Sequence, residues 1–323
     1  MAATPPPFPR YQGLNGLTWD NCFAADRQGI LNNFVIPLKN AETRVASARG
    51  LAQLLEDMMG FAHDVPESLA ITENHTVIPG LKFHLNKFDE REQVAKLGYV
   101  HWSPAGSGHS LHCHSIIDLL GACMSEAAFT NDSAVLAERQ NNNKEYFARL
   151  GALFSYWSYR VITTPSRVPS MFQVFTFKNQ TILGATIPDV PAILGPKTGR
   201  DMIQLARRDY FTRNAINGEN GKRLNLDRPN LVDNPRDYGH CAESWSFTVF
   251  CNLKKEELPD CYGIAIRTPR VNVQVYNRAT ERIAARYAPM CVNCQKLSKF
   301  IVRAGGDPTD KTLENFTVAN WVL

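Results

Sequence analysis

No stretch of eighteen consecutive apolar residues occurs in this 323-residue chain, which excludes a helical membrane span of ordinary length. No run of five or six lysines and arginines occurs either. The 35 basic residues are nearly balanced by 31 acidic ones, a formal net charge of +4. Long nucleic acid is therefore disfavoured as a partner, because no basic tract tracks a phosphate backbone. The opening segment "MAATPPPFPRYQG" has no apolar core of the kind a secretory signal needs. A cytoplasmic protein is the expectation, with its N-x-S/T matches at Asn74, Asn131, Asn179 and Asn315 unused. "GPKTGR" lacks the Gly-Lys-Ser/Thr ending of a phosphate loop, and no internal repeat is present.

What is present suits a globular fold. Hydrophobic residues make up 44% of the chain, enough for a sizeable core, and the length suggests two compact units or one elaborated one. Residues 1–15 are proline-rich and read as a disordered tail. Residues 16–220 read as mainly helical. "SARGLAQLLEDMMGFAH", "EREQVAKLGYV", "HSLHCHSIIDLLGACMSEAAF" and "NKEYFARLGALFSYWSYRVI" all repeat apolar residues at three- and four-residue steps. "SMFQVFTFKNQTILGATI" is rich in β-branched and aromatic residues and predicts a hairpin around "KNQ". "GRDMIQLARRDYFTRNAING" predicts another helix, and the turn-rich "NGENGKR" places a boundary near residue 220. Residues 221–323 alternate. A helix is predicted from His240, strands in "CYGIAIRT" and "VNVQVY", a helix from Pro289 and a closing strand in "ENFTVANWVL". That alternation favours an α/β layer.

Most of the eight cysteines are scattered singly, as small buried apolar residues often are. Two segments differ. "YGHCAES" sets His240, Cys241 and Glu243 within four positions, and "CVNC" spans Cys291 to Cys294. A [His/Cys]-x-Glu triplet arises by chance roughly once in such a chain, and a C-x-x-C about once in six. Cysteines three apart share one helix face, a spacing that suits two thiolates on one zinc.

Taken in order, Cys-Ala-Glu followed by Pro-Met-Cys-x-x-Cys resembles the zinc-dependent cytidine deaminase superfamily over about a hundred C-terminal residues. "HCAE" with "CVNC" is most similar to its divergent branches, those of toxin-type and fungal secondary-metabolism deaminases. The resemblance implies a three-layer α/β domain in which two helices converge on the metal. It implies Cys241, Cys291 and Cys294 as zinc ligands, with an open fourth position for water, and Glu243 as the proton shuttle. Met290 and the gap of about fifty residues between Glu243 and Cys291 depart from the compact family pattern; an inserted loop accounts for such a gap. Three thiolates give the site net negative charge, offset by partial positive charge at helix N-termini and by a hydrogen bond from His240. His240 is also the alternative fourth ligand of a closed structural site, and buried thiols without metal are a further alternative. The expected activity is hydrolytic deamination of a small amino-heterocycle, nucleoside or guanidine- or amidine-bearing metabolite. The alternatives are a nucleic-acid-editing or toxin-type deaminase and a non-catalytic zinc protein.

Other clusters carry weaker signals. "HSLHCHS" holds His109, His112 and His114, and reads as the polar first turn of a helix that could line a pocket. It lacks the H-E-x-x-H pattern of a helix-borne zinc site. Arg207, Arg208 and Arg213 read as a solvated helix face, and "FSYWSY" as a buried aromatic helix.

Overall fold

The computed structural model describes residues 19–40, 46–61, 76–78, 81–82, 100–102, 111–113, 115–127, 143–161, 169–177, 180–187, 192–194, 197–198, 204, 207–208, 239–242, 244–246, 261–267, 288 and 294. The expectations for residues 1–15, "EREQVAKLG", "VNVQVY" and "ENFTVANWVL" lie outside them.

The chain begins with short helices α1 (Trp19–Ala24), α2 (Arg27–Ile30) and α3 (Ile36–Asn40), with a π-helical turn over Leu31–Val35 between the last two. Asp26 caps α2 by accepting from Gly29 N at 2.7 Å. Pro37 accounts for the wide turn. It has no N–H to donate and its ring crowds the carbonyl four residues back, so the ladder loosens before it. α4 (Ala46–Phe61) buries Leu51, Ala52, Leu55 and Met59, the stripe that its spacing predicts.

Two hairpins of very short strands follow: β1 (Thr76–Ile78) with β2 (Leu81–Lys82), and β3 (Val100–Trp102) with β4 (Leu111–Cys113). Here the structure corrects the sequence reading. Leu111–Cys113, expected in the first turn of a helix, is a strand paired residue for residue with Val100–Trp102. The helix, α5 (Ile116–Ala127), starts only after it, with the Ser115 hydroxyl accepting from Asp118 N at 3.2 Å. α6 (Asn143–Val161) is buried along almost its whole length, including Phe154, Tyr156 and Trp157.

The main sheet is antiparallel, in the order β6–β5–β9, from β5 (Met171–Phe177), β6 (Gln180–Ala185) and β9 (Cys261–Arg267). The hairpin turns between Phe177 and Gln180, which are directly paired, as "KNQ" predicts. β9 pairs with β5 from Met171↔Arg267 to Phe177↔Cys261, so this sheet takes strands from both sides of the boundary expected near residue 220. A further small hairpin joins β7 (Ala192–Leu194) and β8 (Lys197–Thr198).

Residues directly opposite one another in a sheet share a face, and alternate residues change face. One face carries Phe172, Val174, Leu183, Ala185, Ile264 and Ile266, all buried. α6 lies on it: Phe154 meets Phe172 edge-on at 5.1 Å, and Gly151 leaves room for Ile266 and Val174. The far side of α6 packs on the N-terminal helices, where Trp157 meets Phe34 at 4.9 Å and donates to Cys22 O at 2.9 Å. The other face of the sheet presents Gln173, Gly184 and Ala265, and it receives the helical segment that begins at Ala242. The fold is a mixed helix-and-sheet architecture with a helix on each face of a small antiparallel sheet. Among the described residues no helix is long and apolar enough to cross a membrane.

Candidate metal centre

Among the described residues, the outer edge of β6 is covered by side chains and loop backbone. Leu183 N donates to Ser125 Oγ at 3.1 Å, and Ser125 Oγ in turn donates to Gly121 O at 2.6 Å. Arg207 Nη1 donates to Ala185 O at 3.0 Å. Ile187 N donates to His240 O at 3.3 Å. Covering an edge in this way removes a template for unwanted strand pairing. It also fixes the "GHCA" segment at the end of β6.

Arg207 is only 5% exposed. Its Nη2 meets Asp118 Oδ1 of α5 at 2.6 Å, and both side chains are buried. At Arg207 this corrects the expectation of a solvated face: an internal ion pair holds the segment that includes Gln204, Arg207 and Arg208 against α5 and the sheet edge, while Arg213 lies outside the described residues. Gly239 rests on that segment. Its φ of +97° is left-handed, and an added Cβ would strike Gln204 O. Only glycine enters the motif by this route.

From Gly239 the chain passes through buried His240 and half-buried Cys241 into a helix that includes Ala242 and Ser244–Ser246. The first turn is closed on Cys241 O, which accepts from Ser244 N at 3.2 Å and Ser244 Oγ at 2.6 Å. Sheet contacts fix its height. The Ala242 carbonyl lies where a Cβ on Gly184 would fall at 2.6 Å, and Ser246 Oγ donates to Gln173 Oε1. On the flank, Trp245 stacks on Trp102 at 5.7 Å and donates from Nε1 to His112 O at 3.0 Å.

The second motif segment reaches the same end of the sheet. Ala288 N donates to Ala265 O at 3.0 Å, near the end of β9, while His240 is bonded beyond the end of β6. Both attachments flank the start of β5. Ile187 N and Ala265 O both point away from β5, so the two attached backbones lie on the outer edges of β6 and β9, four strand spacings or about 19 Å apart. Cys294 is helical and 2% exposed, and it belongs to the core cluster against which Cys241 packs. Glu243 and Cys291 lie outside the described residues, as do His109 and His114. Among the described residues no three of His, Cys, Asp and Glu form a group able to hold a metal ion.

Two other thiols differ in kind. Burial, then the Asp118 carboxylate and the adjacent Cys123 thiol, push Cys113 well above the ordinary thiol range, with Arg207 opposing. Burial, then Glu126, does the same to Cys123. Both stay protonated and inert at neutral pH, unlike a ligand thiolate. Four features of the site were not read from the sequence: Gln173, Gly184, Trp245 and the Arg207–Asp118 pair. Only Gly184 carried a local signal, since a lone glycine inside a strand marks close backbone approach.

Comparison of the chain with family models, curated proteins and solved structures finds no match.

Proposed function

We propose that this protein is a zinc-dependent hydrolytic deaminase acting on a small amino-heterocycle, nucleoside or guanidine- or amidine-bearing metabolite. One observation carries the reading. The segments bearing Cys241 and Cys294 join the same end of one sheet, at the outer edges of β6 and β9, and both residues pack in or against the core of the fold. That arrangement supports the convergence of helices implied by the Cys-Ala-Glu and Cys-x-x-Cys resemblance.

The donor set is chemically apt. Soft thiols at Cys241, Cys291 and Cys294 would hold zinc, and three protein ligands leave one position for water. Bound zinc supplies acidification of that water near neutral pH. The chain's own work is proton transfer and exclusion of solvent. The Glu243 carboxylate takes a proton from the water and returns it to the leaving amine. The C–N bond breaks, a C–O bond forms, and ammonia departs. Cys294, buried in the core cluster, lies on the dry side of the site, whereas Cys241 is half-buried and open to solvent.

The test combines zinc content with ammonia release from a panel of amino-heterocycles, nucleosides and guanidines. About one zinc per chain is expected in the wild type and in Glu243→Ala, and far less in Cys291→Ser. Turnover in Glu243→Ala is expected to fall about 100- to 10,000-fold. Full zinc in Cys291→Ser overturns the ligand assignment. Zinc binding with activity unchanged in Glu243→Ala favours a structural site closed by His240.

A further inference from the structure

We propose that Trp245 is a positioning residue that sets the rotation of the motif helix, and with it the place of Cys241. The proposal rests on reading Cys241 as a metal ligand. Successive residues of a helix are about 100° apart. Ala242 and Ser246 both face the sheet, against Gly184 and Gln173. Trp245 precedes Ser246 by one such step, and Cys241 lies one turn before Trp245. Trp245 therefore lies on a flank of the helix, roughly at right angles to the sheet contacts, and Cys241 is the bend residue joined directly to the helix start at Ala242, so it moves when the helix turns.

Sheet contacts fix how high the helix sits and where it starts along β6. Both lie along one line beneath the helix, so alone they leave it free to roll about that line. Such a roll moves whatever lies off that line: about 10° shifts a group 5–6 Å from it by about 1 Å. A metal site tolerates about half that. The flank is gripped by the β3–β4 hairpin. The Trp102 ring stacks on Trp245 with an interplanar angle of 29°, and the His112 carbonyl accepts from the indole. The hairpin is itself anchored, since Trp102 Nε1 donates to Glu126 Oε1 of α5 at 2.7 Å. α5 also carries Asp118, which fixes Arg207 and the segment beneath Gly239. The same helix thus holds the motif from its flank and from its approach.

The test compares the full-length wild type with Trp245→Phe, which keeps a stacking ring and loses the donor. In zinc-free protein, iodoacetamide labelling is followed residue by residue with mass spectrometry. Labelling of Cys241 is expected to quicken about fivefold, the factor one neutral hydrogen bond carries. Labelling of buried Cys22, Cys113 and Cys123 is expected to stay slow, which separates rotation of one helix from general loosening. In zinc-loaded protein, release to a chelator is expected to quicken by a similar factor. Unchanged labelling at Cys241, or a rise shared equally by the buried cysteines, overturns the proposal. A wild type that binds no zinc removes the proposed function, while the labelling comparison still decides whether Trp245 positions Cys241.

Discussion

Replacing Gly184 by alanine tests how the sheet holds the motif. The added Cβ would fall 2.6 Å from the Ala242 carbonyl oxygen and 3.4 Å from Ser246 Oγ. The nearer obstacle is backbone, in a turn already tied to Ile187 and Ser244, so it cannot swing aside. Reaching ordinary contact requires the helix and β6 to part by roughly 0.5–1 Å. Overpacking of this kind costs about 1–3 kcal/mol, and the lower entropy of the unfolded alanine chain returns about 0.4–1 kcal/mol. The net loss, at most about 2.6 kcal/mol, corresponds to a fall in Tm of up to roughly 4 °C for a chain of this length. Under the proposed zinc-binding function, zinc affinity is expected to fall further in proportion, about 10- to 100-fold, because the displaced carbonyl is one residue from Cys241. Gly151→Ala is the matched control. Its Cβ would meet Ile266 Cδ1 at 2.7 Å and Val174 Cγ2 at 2.9 Å, side-chain ends on the opposite face of the sheet. Those ends can rotate, so Gly151→Ala is expected to lose some stability and keep its zinc affinity within about twofold. Calorimetry and chelator competition read the two quantities. A Gly184→Ala protein that keeps both Tm and zinc affinity refutes the argument, as does equal loss of affinity in both variants.

The buried Arg207–Asp118 pair predicts non-additive mutants. Arg207→Met or Asp118→Asn alone is expected to cost about 3–5 kcal/mol, by leaving a buried charge uncompensated. The double variant Asp118→Leu with Arg207→Met is expected to recover most of that in urea unfolding, short of the hydrogen bond lost at Ala185 O. A double variant no better than the singles argues against the ion-pair account. Cys22 predicts an alkaline limb of stability. Burial pushes its thiol from 9.0 up to about 12, so the neutral form is favoured in the fold. Its contribution is complete below pH 9 and is lost as pH rises toward 12, at about 1.4 kcal/mol per pH unit. Cys113 and Cys123 add slopes of the same sign, so Cys22→Ala is expected to lose stability less steeply than the wild type by about that amount; parallel pH profiles for the two proteins would contradict it.

Element types were legible where one segment carries its own period. The β5–β6 hairpin was readable because β-branched and aromatic residues flank a two-residue link, and α4 and α6 because their apolar residues recur at helical spacing. The failure at "HSLHCHS" has a definite cause. Three residues are too few to separate a period of 2 from one of 3.6, and pairing with Val100–Trp102 decided the matter. Arg207 was misread because its partner is 89 residues away, and an arginine on a helical pattern is solvated unless something distant buries it.

The candidate site divides in the same way. Sequence alone supplied the proposal for which residues do chemistry, since thiol and carboxylate spacing is a property of short windows. It also determined that a helix follows His240 and a strand lies at Cys261–Arg267. Only the tertiary structure decided that β9 pairs with β5 and that Gly184 and Gln173 form the floor beneath the motif helix. It alone decided that a tryptophan 133 residues from His112 holds the flank. The reason is physical. Helix and strand periods are set by backbone geometry within a few residues, whereas the partner of a buried donor or an empty Cβ position is chosen by packing among segments far apart in the chain.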